Sequence, residues 1–187
     1  MAVCCLGLAL VLAAGLIWQA SRATITPYVV EVDKLGQVKT VGAATVAYRP
    51  NDAQVAYHLS QFIQNVRSLS IDPIVVRQHW LDAYDFTTER GAATLNEYAR
   101  TNDPFARVGQ VTVAAEISSV VRVSDSSVQV RWIERTYTNG AITNTERWTA
   151  ILSLVVQQPR DEAGLRKNPL GIYVDGLNWT RELSSPG

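Results

Sequence analysis

Five side chains that could take part in acid–base chemistry fall close together in two stretches of the sequence. His79, Tyr84 and Asp85 lie in one stretch, and Tyr57 and His58 lie in an earlier one. A histidine or aspartate base that faces a tyrosine inside an apolar pocket can move a proton on a bound substrate, as isomerases do. The simpler interpretation is that these side chains complete a hydrophobic core or its rim. The first interpretation predicts a deep apolar cavity, and the second predicts a filled interior.

Other recognisable reaction chemistry is missing from the sequence. Cys4 and Cys5 are the only cysteines, and His58 and His79 are the only histidines. These residues provide neither a disulfide framework nor the usual ligands of a structural zinc site. No nucleophile elbow, no H-E-x-x-H pair and no phosphate-binding loop is present. We therefore expect no metal, no cofactor and no catalysis.

The composition limits the class of protein. The chain has 187 residues, 47% of them hydrophobic, and carries 17 basic and 17 acidic residues, so its formal net charge is zero. This is enough apolar material for one folded domain and too much for a disordered chain. The neutral balance argues against bulk electrostatic binding of nucleic acid, and we expect no direct sequence-specific nucleic-acid binding. Six charged residues on the predicted strands are interpreted as a solvated face: Arg122, Arg131, Glu134, Arg135, Glu146 and Arg147.

The N-terminal segment is apolar throughout. Residues 2–20 contain no charged side chain, and the first charge is Arg22. About 20 apolar residues in a helix cross a hydrocarbon core of about 30 Å. We predict a transmembrane anchor over residues 1–22 and a single domain over residues 23–187. A cleaved signal peptide and a buried core helix are the alternatives, although the signal peptide lacks its usual basic start.

Three helices are predicted in the first half of the domain. Asn51 or Asp52 can cap a helix whose apolar residues recur at three-and-four spacing. Asp72-Pro73 begins a second helix, and a third is predicted over residues 88–100. The apolar side of the first helix is Val55, Leu59, Phe62, Ile63, Val66 and Leu69. The inward residues of the second are predicted to be Ile74, Val75, His79, Trp80, Ala83 and Tyr84.

The second half changes to the alternation typical of strands. Asn139-Gly140 is a strong signal for a tight hairpin, because a type I′ turn needs two residues with positive φ. Residues 157–167 are predicted to be a polar loop. A short hairpin is also predicted before the helices, at residues 28–33 and 38–41. The later strands are predicted at residues 111–117, 128–137, 148–156 and 171–179. Helices followed by antiparallel strands predict an α+β domain with helices packed on one face of a curved sheet.

The order of these features resembles the TrbF family of conjugal transfer proteins. The resemblance rests on an apolar N-terminal anchor, the Pro27-Tyr28-Val29-Val30 stretch that continues to Asp33, the helices and long strands, and Asn168-Pro169-Leu170-Gly171 before the last strand. It implies a cone-like α+β fold of the nuclear-transport-factor-two type. It further implies a bitopic inner-membrane protein, with its C-terminal domain in the periplasm, that helps to assemble a type IV secretion system.

Two regions are candidate partner-binding surfaces. The residue types of Asn168-Pro169-Leu170-Gly171 by themselves predict a stiff turn. The resemblance further implies that this turn is a rigid loop that contacts a partner. The apolar stripe of the first helix is interpreted as core, while its uncharged or weakly charged flank is a candidate surface for pairing with a second copy. The predicted partner-binding residues are Asn168, Pro169, Gly171, His58, Gln61 and Asn65.

Three functional hypotheses follow. The first is a membrane-anchored scaffold subunit of a conjugative type IV secretion apparatus, which contacts itself and other channel subunits without catalysis. The second is a membrane-tethered small-molecule-binding or isomerase-like domain with a deep apolar cavity. The third is a secreted domain whose N-terminus is removed.

Overall fold

The computed structural model describes residues 28–32, 38–43, 49–159 and 162–183, the first two ranges as backbone. The chain divides into two compact units. One comprises Met1–Tyr48 with Arg160–Gly164, and the other comprises Arg49–Pro159 with Leu165–Gly187. The predicted membrane anchor at residues 1–22 lies outside the described residues. Among the helices that the structure describes, none is both long and apolar enough to cross a membrane.

Residues 28–32 and 38–43 of the first unit form an antiparallel hairpin. Strand β1 is Tyr28–Val32 and strand β2 is Val38–Ala43, and Val30 lies opposite Val41. The register shifts between Glu31 and Val32. This confirms the short hairpin predicted from the alternating β-branched residues.

The helices begin where the sequence provides caps. At α1, Asn51 and Gln54 form a reciprocal capping box, with both side-chain-to-backbone bonds at 2.9 Å. Asp72 caps α2 and Pro73 occupies its first turn, while Thr88 caps α3. These groups satisfy N–H groups that have no partner within a helix. The helices are α1 (Asp52–Arg67), α2 (Pro73–Asp85), α3 (Glu89–Thr101) and the short α4 (Glu162–Lys167).

Four antiparallel strands form the sheet of the second unit, in the order β3-β4-β5-β6. The β4–β5 hairpin turns at Asn139 and Gly140, whose φ values are 51° and 81° as a type I′ turn requires. Edge strand β3 is irregular, because its pairing with β4 shifts register between Ile117 and Ser119 and again between Arg122 and Ser124. The strands are β3 (Thr112–Ser124), β4 (Ser127–Thr138), β5 (Ala141–Val156) and β6 (Ile172–Arg181).

The hydrophobic core lies between the helices and one face of this sheet. Helix α1 contributes Leu59, Phe62 and Ile63, which are fully buried, and α2 contributes Trp80. Removing each such side chain from water stabilises the fold by about 1.5–3 kcal/mol. Alternate strand residues point into the same space: Val113, Ala115, Val128, Val130, Trp132, Ala150, Leu152, Ile172 and Val174. The predicted α+β class is therefore confirmed in the described residues.

Three predicted details are wrong. Leu69 is buried but does not extend α1, because the helix ends at Arg67 and Leu69 forms a β-bridge with Val113. Ile74 and Val75, predicted to face the core, are exposed, while Val76 faces inward instead. The loop predicted over residues 157–167 contains helix α4.

Candidate functional site

The turn between α4 and β6 is held by its own side chains. The buried Asn168 amide donates to the Ile172 carbonyl at 2.8 Å, and its Oδ1 accepts from the Ile172 N–H at 3.3 Å. The Gly171 N–H donates to the Asn168 carbonyl at 3.0 Å. Pro169 is exposed at the tip. Because Asn168 is occupied inside the turn, a partner at this position would contact Pro169.

Gly171 is required by two independent features of the backbone. Its φ is +60°, in the left-handed region that side chains disfavour. A Cβ atom at this position would lie 2.0 Å from the Gln157 carbonyl oxygen. The Gly171 carbonyl in turn accepts from the Gln157 N–H at 2.8 Å. The turn is therefore fixed against the end of β5.

His58 lies inside the domain and not on the flank of α1. It is 7% exposed, and its ring lies 4.3 Å from that of Phe86. Burial lowers the pKa of His58, and a hydrogen bond with the Ile172 backbone partly opposes this shift. Its Nε2 has no hydrogen-bond partner among the described residues. His58 thus connects α1 to Ile172, the residue that Asn168 also binds. The His58 side chain is shielded from a partner in the monomer.

The other predicted residues of the α1 flank are more accessible. Gln61 and Asn65 are half-buried, and the Gln61 amide makes a long bond of 3.4 Å to Gln64. Tyr57 on the neighbouring turn is 69% exposed. These residues leave polar atoms at the surface of α1, separate from Asn168 and Gly171.

The residues considered for acid–base chemistry engage different neighbours. The Tyr84 hydroxyl donates to Asn96 at 2.5 Å, and Asp85 pairs with Lys167 at 2.8 Å. His79 is half-buried, with no hydrogen-bond partner for Nδ1 in the described part of the chain. These contacts do not assemble a base and a tyrosine around one apolar cavity. The space in which a substrate would bind is occupied by core side chains, among them Phe62, Trp80 and Trp132.

A buried cluster centred on Arg67 joins the helices to the sheet. The Arg67 cluster comprises Arg67, Tyr98, Trp132, Glu134, Trp148 and Trp179. Arg67 Nε lies 2.6 Å from Glu134 Oε1, and the two side chains are only 6% and 11% exposed. Arg67 also donates to the Tyr98 hydroxyl, and Trp132 Nε1 donates to Glu134, at 2.6 and 2.7 Å. The carboxylate therefore neutralises the guanidinium in a water-poor environment.

Aromatic rings complete the surroundings of this guanidinium. Its central carbon lies 4.2 Å from the ring centre of Trp148 and 5.3–5.7 Å from those of Trp132, Tyr98 and Trp179. Trp132 stacks on Trp148, and Tyr98 meets Trp179 edge-to-face. Burial raises the pKa of Tyr98, so its hydroxyl stays protonated. The cluster is suited to fixing α1 and α3 on the sheet, because each charged group already has a partner inside it.

A surface cavity of about 360 Å³ adjoins the Arg67 cluster. Arg67, Trp80, Tyr98, Arg107 and Glu134 contribute to its lining. This mixed lining differs from the deep apolar pocket that the isomerase hypothesis predicts.

The interpretation of Glu134 as part of a solvated face is wrong, and the sequence contained a signal for the correct answer. Val128, Val130 and Trp132 alternate along β4, and Glu134 continues the same inward series. Arg67 likewise follows Ile63 by four residues, on the buried side of α1. A charge at an apolar position of a helix and another at an inward position of a strand together indicate a buried ion pair.

Comparison with known proteins gives the family. The sequence profile of the family described as VirB8 protein matches residues 1–182. The chain is 32% identical over 170 residues to "Conjugal transfer protein TrbF" of Rhizobium radiobacter, covering 89% of this chain and 77% of that protein. The chain belongs to the VirB8 family. The resemblance to TrbF proteins drawn from the sequence is thereby confirmed.

Solved structures agree on the VirB8-family fold. The TrwG type IV secretion component of Bartonella birtlesii aligns with a TM-score of 0.61 at 18% identity, over 75% of this chain and 98% of that one. The VirB8 protein of Agrobacterium tumefaciens aligns with a TM-score of 0.62 at 13% identity, over 75% of this chain and all of that one. These solved structures share with this chain the fold of helices packed on an antiparallel sheet.

Proposed function

We propose that the protein is a non-catalytic scaffold subunit of a conjugative type IV secretion apparatus. It crosses the inner membrane once through residues 1–22 and places its C-terminal domain in the periplasm. There it contacts further copies of itself and other channel subunits. The observation that carries this proposal is the family match over residues 1–182, together with 32% identity to a conjugal transfer protein.

The structure supports a role through contact. Pro169 lies at the tip of a turn that Asn168 and Gly171 hold rigid. Because this surface is already ordered, binding a partner would cost the turn little conformational entropy. Gln61 and Asn65 offer polar atoms on α1, as a second contact region.

Tethering to the membrane allows such small contact surfaces to support assembly of a complex. An anchored domain moves in a thin layer beside the bilayer, which raises its effective concentration relative to other anchored subunits. Contacts that are weak in free solution then assemble a complex. The scaffold function accordingly depends on the membrane segment as well as on the domain.

The isomerase-like alternative has less support. Tyr84, Asp85 and His58 have separate local partners, and core side chains occupy the interior of the described domain. The known chemistry of such enzymes needs a base and a donor that converge on one substrate.

The proposal is tested by DNA transfer between cells. Deleting the gene from the transfer operon should abolish conjugation, and the intact gene supplied in trans should restore it. Pro169→Ala removes the exposed ring and retains the bonds of Asn168, so it should reduce both transfer and crosslinking to other channel subunits at unchanged protein level. Ile142→Ala, an exposed change on the β4–β5 hairpin, is the matched control and should leave transfer unchanged. Normal transfer after deletion would refute the proposal.

A further inference from the structure

A surface cavity of about 380 Å³ lies at the start of α1, separate from the cavity beside the Arg67 cluster. Its volume is within the range of about 300–1,000 Å³ that is usual for binding sites. Its floor is formed by Val55, Leu154 and Ile172, which belong to the hydrophobic core. Val156, at the end of β5, is half-exposed and continues this apolar surface outward. The Val156 cavity, as we call it, therefore opens onto the edge of the core.

Two irregularities in strand pairing shape the Val156 cavity. The pairing of β3 with β4 shifts between Arg122 and Ser124, and the pairing of β5 with β6 shifts between Ser153 and Leu154. Such bulges redirect the side chains beside them. The Leu154 N–H donates to the Ser126 carbonyl at 2.8 Å, so the end of β5 meets the β3–β4 turn. The walls of the cavity are thus set by backbone hydrogen bonds.

Arg122 closes one wall of the cavity. It lies opposite the buried Val128 and therefore on the core-facing side of the sheet. Its Nε donates to Asp52 Oδ1 at 2.7 Å, and its Nη1 donates to the Asp125 carbonyl at 3.3 Å. Arg122 thus bridges the start of α1 and the β3–β4 turn, and Asp52 neutralises its charge.

Two charges at the rim have no internal partner. Arg49 lies before α1 and Asp125 lies in the β3–β4 turn, and neither side chain makes an ion pair or a hydrogen bond within the described residues. Opposite charges beside an apolar floor match a polypeptide, which can carry acidic, aliphatic and basic side chains together. An anionic lipid surface or a nucleic acid would instead be repelled by Asp52 and Asp125.

The Val156 cavity adjoins the turn that carries Pro169. Val156 lies opposite Ile172 in the pairing of β5 with β6. The next residue along β5, Gln157, donates its N–H to the Gly171 carbonyl at 2.8 Å. A segment that contacts Pro169 would therefore lie next to the cavity.

We propose that the Val156 cavity binds an extended segment of another channel subunit. The segment inserts an aliphatic side chain against Val55, Leu154 and Val156. An acidic residue on one side of it faces Arg49, and a basic residue on the other side faces Asp125. This inference rests on the proposed scaffold function and adds to it the contact surface and the chemistry of the partner.

Photo-crosslinking in cells that carry the transfer operon tests the site in the full chain. The photoreactive residue p-benzoylphenylalanine replaces Val156, or Ile142 as the matched control. Both positions lie on β5, 46% and 56% exposed, at opposite ends of the strand. Irradiation should join the Val156 variant to another channel subunit. We expect at least about fivefold less adduct from Ile142, because only groups in contact react. Mass spectrometry should find an aliphatic residue with neighbours of both charges in the attached peptide.

Charge reversal then tests the rim. With the photoreactive residue at position 156, Arg49→Glu or Asp125→Lys should each lower the adduct yield at least about threefold, a modest effect because exposed charges are screened. Arg77→Glu, the same change at an exposed arginine of α2, should leave the yield unchanged. Resistance to added protease confirms that each variant is folded.

The remaining outcomes would overturn the inference. Equal adducts from Val156 and Ile142 would overturn the site, and an adduct only with a second copy of this chain would overturn the partner. An attached peptide without an aliphatic residue, or a yield unaffected by both charge reversals, would overturn the chemistry. If gene deletion abolishes transfer but the Val156 variant gives no adduct, the scaffold function stands and the cavity is not its contact site.

Discussion

Breaking the Arg67 cluster should strongly destabilise the domain. The Arg67–Glu134 pair has a separation of 2.6 Å and is almost completely removed from solvent. Arg67→Met preserves much of the aliphatic length and removes the charge. It leaves the Glu134 carboxylate buried with only the Trp132 N–H as a described partner. Glu134→Gln is the complementary change, because an amide can still accept both bonds but cannot neutralise the guanidinium.

The expected magnitude follows from burial. Removing one partner of a buried ion pair costs about 3–5 kcal/mol, because the remaining charge is uncompensated. Arg67→Met also loses the Tyr98 hydrogen bond and the contact with Trp148, so we expect about 4 kcal/mol for it and about 3 kcal/mol for Glu134→Gln. The double variant buries no lone charge and should retain about 2 kcal/mol more stability than the sum of the single losses predicts.

These free energies of unfolding are measured by urea denaturation of the full chain in detergent. Tryptophan fluorescence and near-ultraviolet circular dichroism monitor the unfolding. Arg100→Met is the matched control, because the Glu97–Arg100 pair is 66% and 74% exposed and should contribute under about 1 kcal/mol. Single variants within 1 kcal/mol of wild type, or a double variant with strictly additive losses, would refute the reasoning from burial.

Three further predictions concern other contacts. Gly171→Ala should destabilise the turn and reduce DNA transfer in a conjugation assay, because its Cβ would overlap the Gln157 carbonyl; unchanged melting and transfer would contradict this. Gly91→Ala should lower the melting temperature, since its Cβ would lie 2.1 Å from the Val174 carbonyl oxygen, and a calorimetric scan checks the shift. Burial lowers the pKa of His58 below 6.5, so the unfolded chain takes up a proton that the folded chain does not, and stability should fall as the pH drops below about 6.5. His58→Phe should flatten that pH dependence in denaturant titrations at several pH values, and an unchanged slope would exclude His58 as its source.

Local chemistry made much of the fold predictable from sequence. Asn51, Asp72-Pro73 and Asn139-Gly140 each specify a backbone conformation through neighbouring atoms, and the structure has the helix starts and the turn that they predict. Such signals need no information about the rest of the chain. For the same reason Asn168 and Gly171 were recognisable as a stiff turn, although the contact of Gly171 with Gln157 was not.

Features that depend on packing were harder to predict. Helix α2 has apolar residues around most of its circumference, so periodicity alone could not show that Val76, and not Ile74, faces the sheet. The sequence placed His58 on a polar flank of α1, because nothing in that helix shows that Phe86, just after the end of α2, covers the ring. The Arg67 cluster combines residues from two helices and three strands, and its assembly follows only from the sheet order. Glu134 is a charged side chain at an inward position of β4, so its residue type alone led to the wrong prediction of a solvent-exposed side chain.

The two register shifts in β3 bear on aggregation through strand pairing. An edge strand exposes unpaired N–H and C=O groups, and regular edges invite further strands from neighbouring molecules. The irregularities near Ile117 and Arg122 interrupt the repeat that an incoming strand would need. For copies tethered to a membrane as proposed above, this would disfavour growth into fibrous aggregates through strand pairing.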